Sequence, residues 1–281
     1  MRTDDFFIEQ LSEGFFELFE DGSFQKMDPS RLDSAGDDPN IGKFTSALGI
    51  DPLLICHYGK NIVVDPGLGW GLDHKSSYRN TSNVATNLDI FGLKREDIDL
   101  VILTHLHYDH VAGCSFINSE FKTEATFPNA KYIVHKDEWD FALTRINKPS
   151  ILPGAKYDLD ELYKLVAQKR IEFIENDVHA PSRGITLIKS GGHTPGHLVL
   201  KMTSRNKIAY FLGDLIPTEY HLNHYSMKHV DTDPLESKKA KTILLKRALQ
   251  EKAVLYFYHS LYKKSGKLSR DRYKKYVLLD V

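Results

Sequence analysis

Residues 104–110 read Thr104-His105-Leu106-His107-Tyr108-Asp109-His110, at the end of the short apolar, β-branched run Asp99–Thr104. Four metal-capable side chains within six residues constrain this chain more than any other feature. Neutral imidazoles and a carboxylate suit zinc or another first-row metal. A cluster of this density is costly to bury unless something satisfies it. Alternate residues leaving a strand end project to one side, which predicts that His105 and His107 share an ion. Asp109 and His110, one step further round the turn, can face a second. Further ligands would have to come from elsewhere in the chain.

Three weaker signals could supply them. Gly191-Gly192-His193-Thr194-Pro195-Gly196-His197 is a tight turn that lets a histidine point inward. Phe211-Leu212-Gly213-Asp214 puts an aspartate at a strand end, as Asp65 stands after Asn61–Val64. His259 follows the apolar strand Val254–Tyr258. Each alone reads as a turn or core-edge residue; together they offer two more imidazoles and a carboxylate able to bridge two ions. His197 is expected to support the turn. His221 and His224 are expected to line the pocket after Asp214. His57, His74, His135, His179 and His229 read as ordinary surface or core-edge residues.

The chain has 281 residues, 41% hydrophobic and 27% charged, as in soluble globular proteins. Its longest apolar run, Ala253–Tyr258, is far too short to span a bilayer. A net charge of −1 gives no basic field for nucleic acid or an anionic membrane. The first residues show no cationic, apolar leader pattern, and two cysteines cannot staple a scaffold. A cytoplasmic enzyme with a small-molecule substrate is expected, with a homodimer open.

Along the chain, Gly14–Phe24 reads as strand, Asp-Gly turn and strand, followed by about 20 polar loop residues. Leu53–His57 and Asn61–Val64 form a second hairpin pattern. Strands are expected at Asp99–Thr104, Lys131–Val134, Ile171–Ile174, Ile185–Lys189, Leu198–Thr203, Lys207–Leu212 and Val254–Tyr258. Helices are expected at Lys136–Thr144, Asp158–Gln168 and Pro234–Glu251. Leu159, Leu162, Tyr163 and Leu165 face inward on the second, and Ile243, Leu244, Leu245, Ala248 and Leu249 on the third. Phe6, Phe7, Phe15, Phe16 and Phe19 are read as core. Lys263, Lys264, Lys267, Lys274 and Lys275 are read as a solvated face. Hairpins mixed with strand-helix alternation predict an α/β fold of packed sheets covered by helices, not a doubly wound sheet. Asn61–Asp65 and Lys207–Asp214 hint at two similar halves. One domain, 1–281, is expected, with 1–45 an N-terminal hairpin and loop extension.

The spaced set Asp65, His105-x-His107-x-Asp109-His110, His193, Asp214 and His259 resembles the metallo-β-lactamase superfamily, from about residue 45 to 265. The resemblance implies an αββα sandwich with metal at the sheet edges. It implies His105, His107 and His193 on a first ion, Asp109, His110 and His259 on a second, and Asp214 between them. Asp65 would orient ligands from behind by hydrogen bonds. Two Zn2+, or another divalent first-row metal, are implied. Two close cations stabilise a bridging hydroxide that attacks a carbonyl or phosphoryl group, with Asp109 relaying a proton to the leaving group. Asp109, Asp65 and His221 are the catalytic candidates.

Gly213-Asp214-Leu215-Ile216-Pro217-Thr218 followed by His221 looks like the lactonase and methyl parathion hydrolase-like group. An ester or lactone is the expected substrate. A phosphotriesterase-like activity and a mononuclear iron redox enzyme are the alternatives. The acyl-homoserine lactonases in this group place a Tyr three residues after the bridging Asp. Here that position is Pro217, and Tyr220 is the nearest candidate to replace it.

Overall fold

The structure, a computed structural model, describes residues 2–3, 6–19, 21–28, 47–73, 81–146, 155–223, 228 and 230–280. His74, His224, His229 and most of the expected polar loop lie outside them.

Two seven-stranded sheets form the centre. The first runs, in spatial order, Arg2–Thr3, Phe6–Gln10, Leu53–His57, Lys60–Val64, Leu100–Ile102, Lys131–His135 and Ile171–Ile174. The second runs Val178–Ser182, Ile185–Lys189, Leu198–Ser204, Lys207–Phe211, Val254–Tyr256, Ser265–Arg270 and Tyr276–Leu279. Side chains alternate across a strand, and here both faces are apolar. Ile55, Ile62, Val64, Ile102 and Ile133 of the first sheet meet Leu200, Met202, Phe211 and Tyr256 of the second in one shared core. The opposite faces, carrying Leu54, Val63, Val101 and Tyr132 in one sheet and Val199, Tyr210 and Leu255 in the other, are covered by helices. This is the αββα sandwich.

Five helices are used below: α1 (Val84–Ile90), α2 (Tyr108–Val111), α3 (Lys136–Leu143), α4 (Asp160–Ala167) and α5 (Pro234–Gln250). Their starts follow local chemistry. Asn83 caps α1 through the amides of Ala85 and Thr86, and Asp233 caps α5 with Pro234 in its first turn. No helix among the described residues is long and apolar enough to cross a membrane.

The hint of two halves has a concrete form. The hairpin of Leu53–His57 and Lys60–Val64 is followed by Leu100–Ile102, parallel to its second strand. The hairpin of Leu198–Ser204 and Lys207–Phe211 is followed by Val254–Tyr256, parallel in the same way. Asp65 and Asp214 follow the second strand of each hairpin, and His105 and His259 follow the parallel strand. All four residues emerge at the same edge of the sandwich.

Some expectations are corrected. Tyr163 and Ile243 are exposed rather than inward. Leu159, Leu162 and Leu165 carry the buried stripe of α4, and Tyr163 stands at its border, edge-on to Trp139. In α5 the buried side is Lys241, Leu244, Leu245 and Ala248, and Ile243 is rotated away from it. The five phenylalanines do not form one cluster. Phe6 and Phe16 enter the core between the sheets, Phe7 packs on the helix side, and Phe15 and Phe19 are only partly buried. Lys264 is not a solvated member of the lysine face, because its ammonium meets the buried carboxylate of Asp51 at 2.5 Å.

Candidate metal centre

The strand Leu100–Ile102 ends at the sandwich edge and the chain continues through Leu103 and Thr104 into His105. α2 then turns Asp109 and His110 back over the same edge. The turn 190–197 brings in His193, the short turn Gly213–Leu215 brings in Asp214, and His259 follows Val254–Tyr256. All seven residues are buried, and their metal-capable atoms fall into two adjoining groups, with a third, overlapping group formed by Asp65, His105 and His110.

The first group is His105, His107 and His193 with Asp214. His105 Nε2 lies 3.0 Å from His107 Nδ1, and His193 Nε2 lies 3.3 and 3.1 Å from the same two atoms. Nitrogens sharing a tetrahedral zinc at about 2.0–2.1 Å stand about 3.3 Å from one another, close to this spacing. Burial, then the neighbouring imidazoles and nearby cations, hold all three rings well below the usual histidine range. They are neutral, which is the form that binds metal.

The second group is Asp109, His110 and His259. His259 Nε2 lies 3.5 Å from Asp109 Oδ2, and His110 Nε2 lies 3.9 Å from it. Asp214 spans both groups. Its Oδ2 lies 3.4 Å from His193 Nε2, while its Oδ1 lies 3.2 Å from His259 Nε2 and 3.5 Å from His110 Nε2. Among the described residues, His110 Nε2 and Asp214 Oδ1 are buried without a hydrogen-bond partner. Buried polar atoms are nearly always satisfied, so the donor set fits a cation between them. Burial opposes charge on His110 and His259, yet the surrounding carboxylates raise both rings above the usual range. A proton there sits where a metal would replace it.

Hydrogen bonds on the far nitrogens decide which atoms face inward. Asp65 accepts from the Thr104 amide and hydroxyl at 2.7 and 2.6 Å. Its Oδ2 also lies 2.9 Å from His110 Nδ1, so His110 presents Nε2. Thr104 Oγ1 holds His105 Nδ1 at 3.0 Å. The Gly49 carbonyl accepts from His259 Nδ1 at 2.8 Å. His197 turns away from the groups: its Nε2 accepts from the Asp214 amide at 2.9 Å, and its Nδ1 meets Ser190 Oγ at 2.7 Å. Gly213 permits this approach, since at φ +48° a Cβ would stand 2.7 Å from His197 Nε2.

His221 lies in the short turn Glu219–Leu222, its Nδ1 2.7 Å from Thr218 Oγ1. Burial first, then the charges of Lys228 and Lys241, push its ring down to about 4. It is neutral at neutral pH, and the negative charge of Asp214 opposes the downward push. Tyr220 is exposed.

Sequence reasoning missed several supports. The buried Glu138 of α3 accepts from the amides of Leu106 and Gly196 at 3.0 and 3.3 Å, tying together the two loops that carry His105, His107 and His193. The Tyr258 hydroxyl donates to the Asp109 carbonyl at 2.7 Å, and its ring stacks on His110. Asp231 meets His193 Nδ1 at 3.0 Å. A lone acid in a helix or loop carries no sequence signal that separates it from a solvated one. Tyr258 read simply as the end of an apolar strand.

A family model described as the metallo-beta-lactamase superfamily matches residues 47–259. An N-acyl homoserine lactonase of Bacillus cereus is 25% identical over 189 residues, covering 65% of this chain. That match spans 64% of the lactonase, a little under two thirds of its length. Among solved structures, a probable metal-dependent hydrolase of Staphylococcus aureus is similar at 25% identity and TM-score 0.74, over 100% of this chain and 99% of that one. AidC, a dizinc quorum-quenching lactonase in complex with a product, is similar in fold at 20% identity and TM-score 0.71, covering 100% and 96% of the two chains.

Proposed function

Because the chain belongs to the metallo-β-lactamase superfamily, we propose that it is a metal-dependent hydrolase that uses two divalent ions to open an ester or lactone. His105, His107 and His193 would hold the first ion, Asp109, His110 and His259 would hold the second, and Asp214 would stand between them. The observation that carries this reading is the position of Asp214, with one carboxylate oxygen beside each group. The relatives named above as lactonases favour the ester or lactone class.

When bound, such a metal pair supplies a water acidic enough to be a nucleophile near neutral pH and a Lewis acid for the carbonyl oxygen. The protein supplies placement. Asp65 fixes the ring of His110, and through Thr104 that of His105. Asp109, anchored through its own carbonyl by Tyr258, belongs to the second group and is also the residue assigned to carry a proton to the departing oxygen. Cleavage breaks the acyl carbon–oxygen bond, adds the elements of water and releases an acid and an alcohol, joined in one molecule when a lactone opens. His221, neutral and held by Thr218, is assigned to the pocket wall.

The test is turnover by zinc-loaded protein on a panel of lactones, aryl esters, thioesters and phosphotriesters, with metal content measured on the same sample. Hydrolysis of lactones or aryl esters with two ions per chain is expected. Turnover of phosphotriesters alone would refute the substrate class, and a single iron per active chain would refute the dinuclear centre.

A further inference from the structure

We propose that Asp231, charge-balanced by Lys228, is the positioning residue that makes His193 present Nε2 to the first metal group. This rests on the metal-binding part of the reading above and not on the substrate. Asp231 Oδ1 lies 3.0 Å from His193 Nδ1 and 2.8 Å from Lys228 Nζ, with all three side chains buried. Lys228 Nζ itself lies 3.4 Å from His193 Nδ1. An ammonium can only donate and a carboxylate can only accept, and the carboxylate stands closer to His193 Nδ1 than the ammonium does. Asp231 is therefore the acceptor for both neighbours, taking one bond from the ammonium and one from the imidazole. That places the ring proton on Nδ1 and leaves the Nε2 lone pair aimed at His105 and His107.

The same segment grips the main chain of the turn. The Thr232 amide donates to the His193 carbonyl at 2.9 Å, and the Asp233 amide donates to the Gly192 carbonyl at 2.8 Å. Glu236, in the first turn of α5, accepts from the Gly192 amide at 3.0 Å. Ring and backbone of this residue are thus both engaged by residues 231–236.

Lys228 sets the sign of the effect. Paired with Asp231 it is neutralised. Without Asp231 it is a buried cation beside His193 and beside the incoming metal, an arrangement that costs far more than the pair contributes. The two residues are therefore coupled in a specific order. Losing the acid alone is worse than losing acid and base together.

The experiment is zinc affinity and stoichiometry, measured on metal-free protein in competition with a chelating dye. Wild type, Asp231→Asn, Lys228→Met and the double variant are compared, with unfolding of each metal-free protein as the check on folding. Asp231→Asn is expected to bind zinc roughly 10–100-fold more weakly. Lys228→Met binds as tightly as wild type or tighter, and the double variant recovers part of the loss. A merely structural Asp231 would lower stability of the metal-free protein without this rescue. Wild-type affinity in Asp231→Asn, or a double variant no better than it, overturns the proposal alone. Wild-type protein that takes up no zinc overturns the metal centre and this proposal with it.

Discussion

At the scale of single residues, Asp214 and His221 separate two roles that the loop after Lys207–Phe211 brings close in sequence. Asp214 has one carboxylate oxygen beside His193 of the first group and the other beside His259 and His110 of the second. In the proposed centre, Asp214→Ala would leave two cations facing each other without an anion between them, so at least one ion per chain should be lost and turnover should collapse on every substrate. His221→Ala should keep both ions and change rates unevenly across the panel, since its ring is engaged by Thr218. Elemental analysis and the substrate panel on both variants decide. Equal metal loss in the two would make His221 a ligand. The candidate ligands were legible in the sequence because metal-capable side chains are rare enough to stand out when four fall within six residues. Asp231 and Glu138 were not, because their importance comes from burial, which a single sequence does not display.

At the scale of elements, the turn before Leu198–Ser204 is held against α5 by close contact. Gly192 has φ +82°, and a Cβ there would stand 2.4 Å from the Ser237 amide nitrogen and 2.6 Å from its Cα. Neither atom is the end of a flexible side chain. Gly59 has φ +73° with nothing within 4 Å of such a Cβ. Gly59→Ala should therefore cost only the left-handed backbone term, roughly 1–2 kcal/mol. Gly192→Ala adds displacement of the first turn of α5 and should cost about 2 kcal/mol more, in the range of overpacking. Urea unfolding of the metal-free variants measures both, and equal losses would show that the contact is not tight.

The same elements show what pattern reading can reach. Apolar, β-branched strands in the sandwich centre were found because both their faces are buried. The strands Phe6–Gln10, Val178–Ser182, Ser265–Arg270 and Tyr276–Leu279 were missed. They lie toward the outer parts of the sheets, where polar residues interrupt the run.

At the scale of the molecule, the N-terminal strands are stitched to distant parts of the chain, and we propose that the described chain folds as one unit. Gln10 donates to the Phe257 carbonyl at 2.8 Å, and Lys264 donates to Ser12 at 2.7 Å. Glu13 is the deepest of these ties. It accepts from the amides of Leu68 and Gly69 at 2.7 and 3.0 Å, holding the loop that follows Asp65. That loop packs on Gly113, just past His110, whose amide donates to the Gly67 carbonyl at 2.8 Å.

Burial raises the Glu13 carboxyl from 4.5 to about 8, against the lowering effect of the amides it accepts from. Between those two values the folded chain keeps a proton that the unfolded chain has released. The unfolded state then binds fewer protons, so this group makes stability fall as pH rises, and its contribution levels off above about pH 8. One full proton corresponds to a slope of about 1.4 kcal/mol per pH unit. Glu13→Gln removes the titration, and its amide also sets a donor against one of the two backbone donors, so the variant is less stable throughout. Its deficit relative to wild type should be largest at about pH 4.5 and below and shrink steadily toward pH 8. Urea unfolding of the metal-free proteins across that range reads the difference directly, without the pH dependence that metal binding would add. A deficit that stays constant with pH would mean that Glu13 is ionised in the fold over the whole range. The Pro66–Gly69 loop would then be held by a charged carboxylate and not by a protonated one.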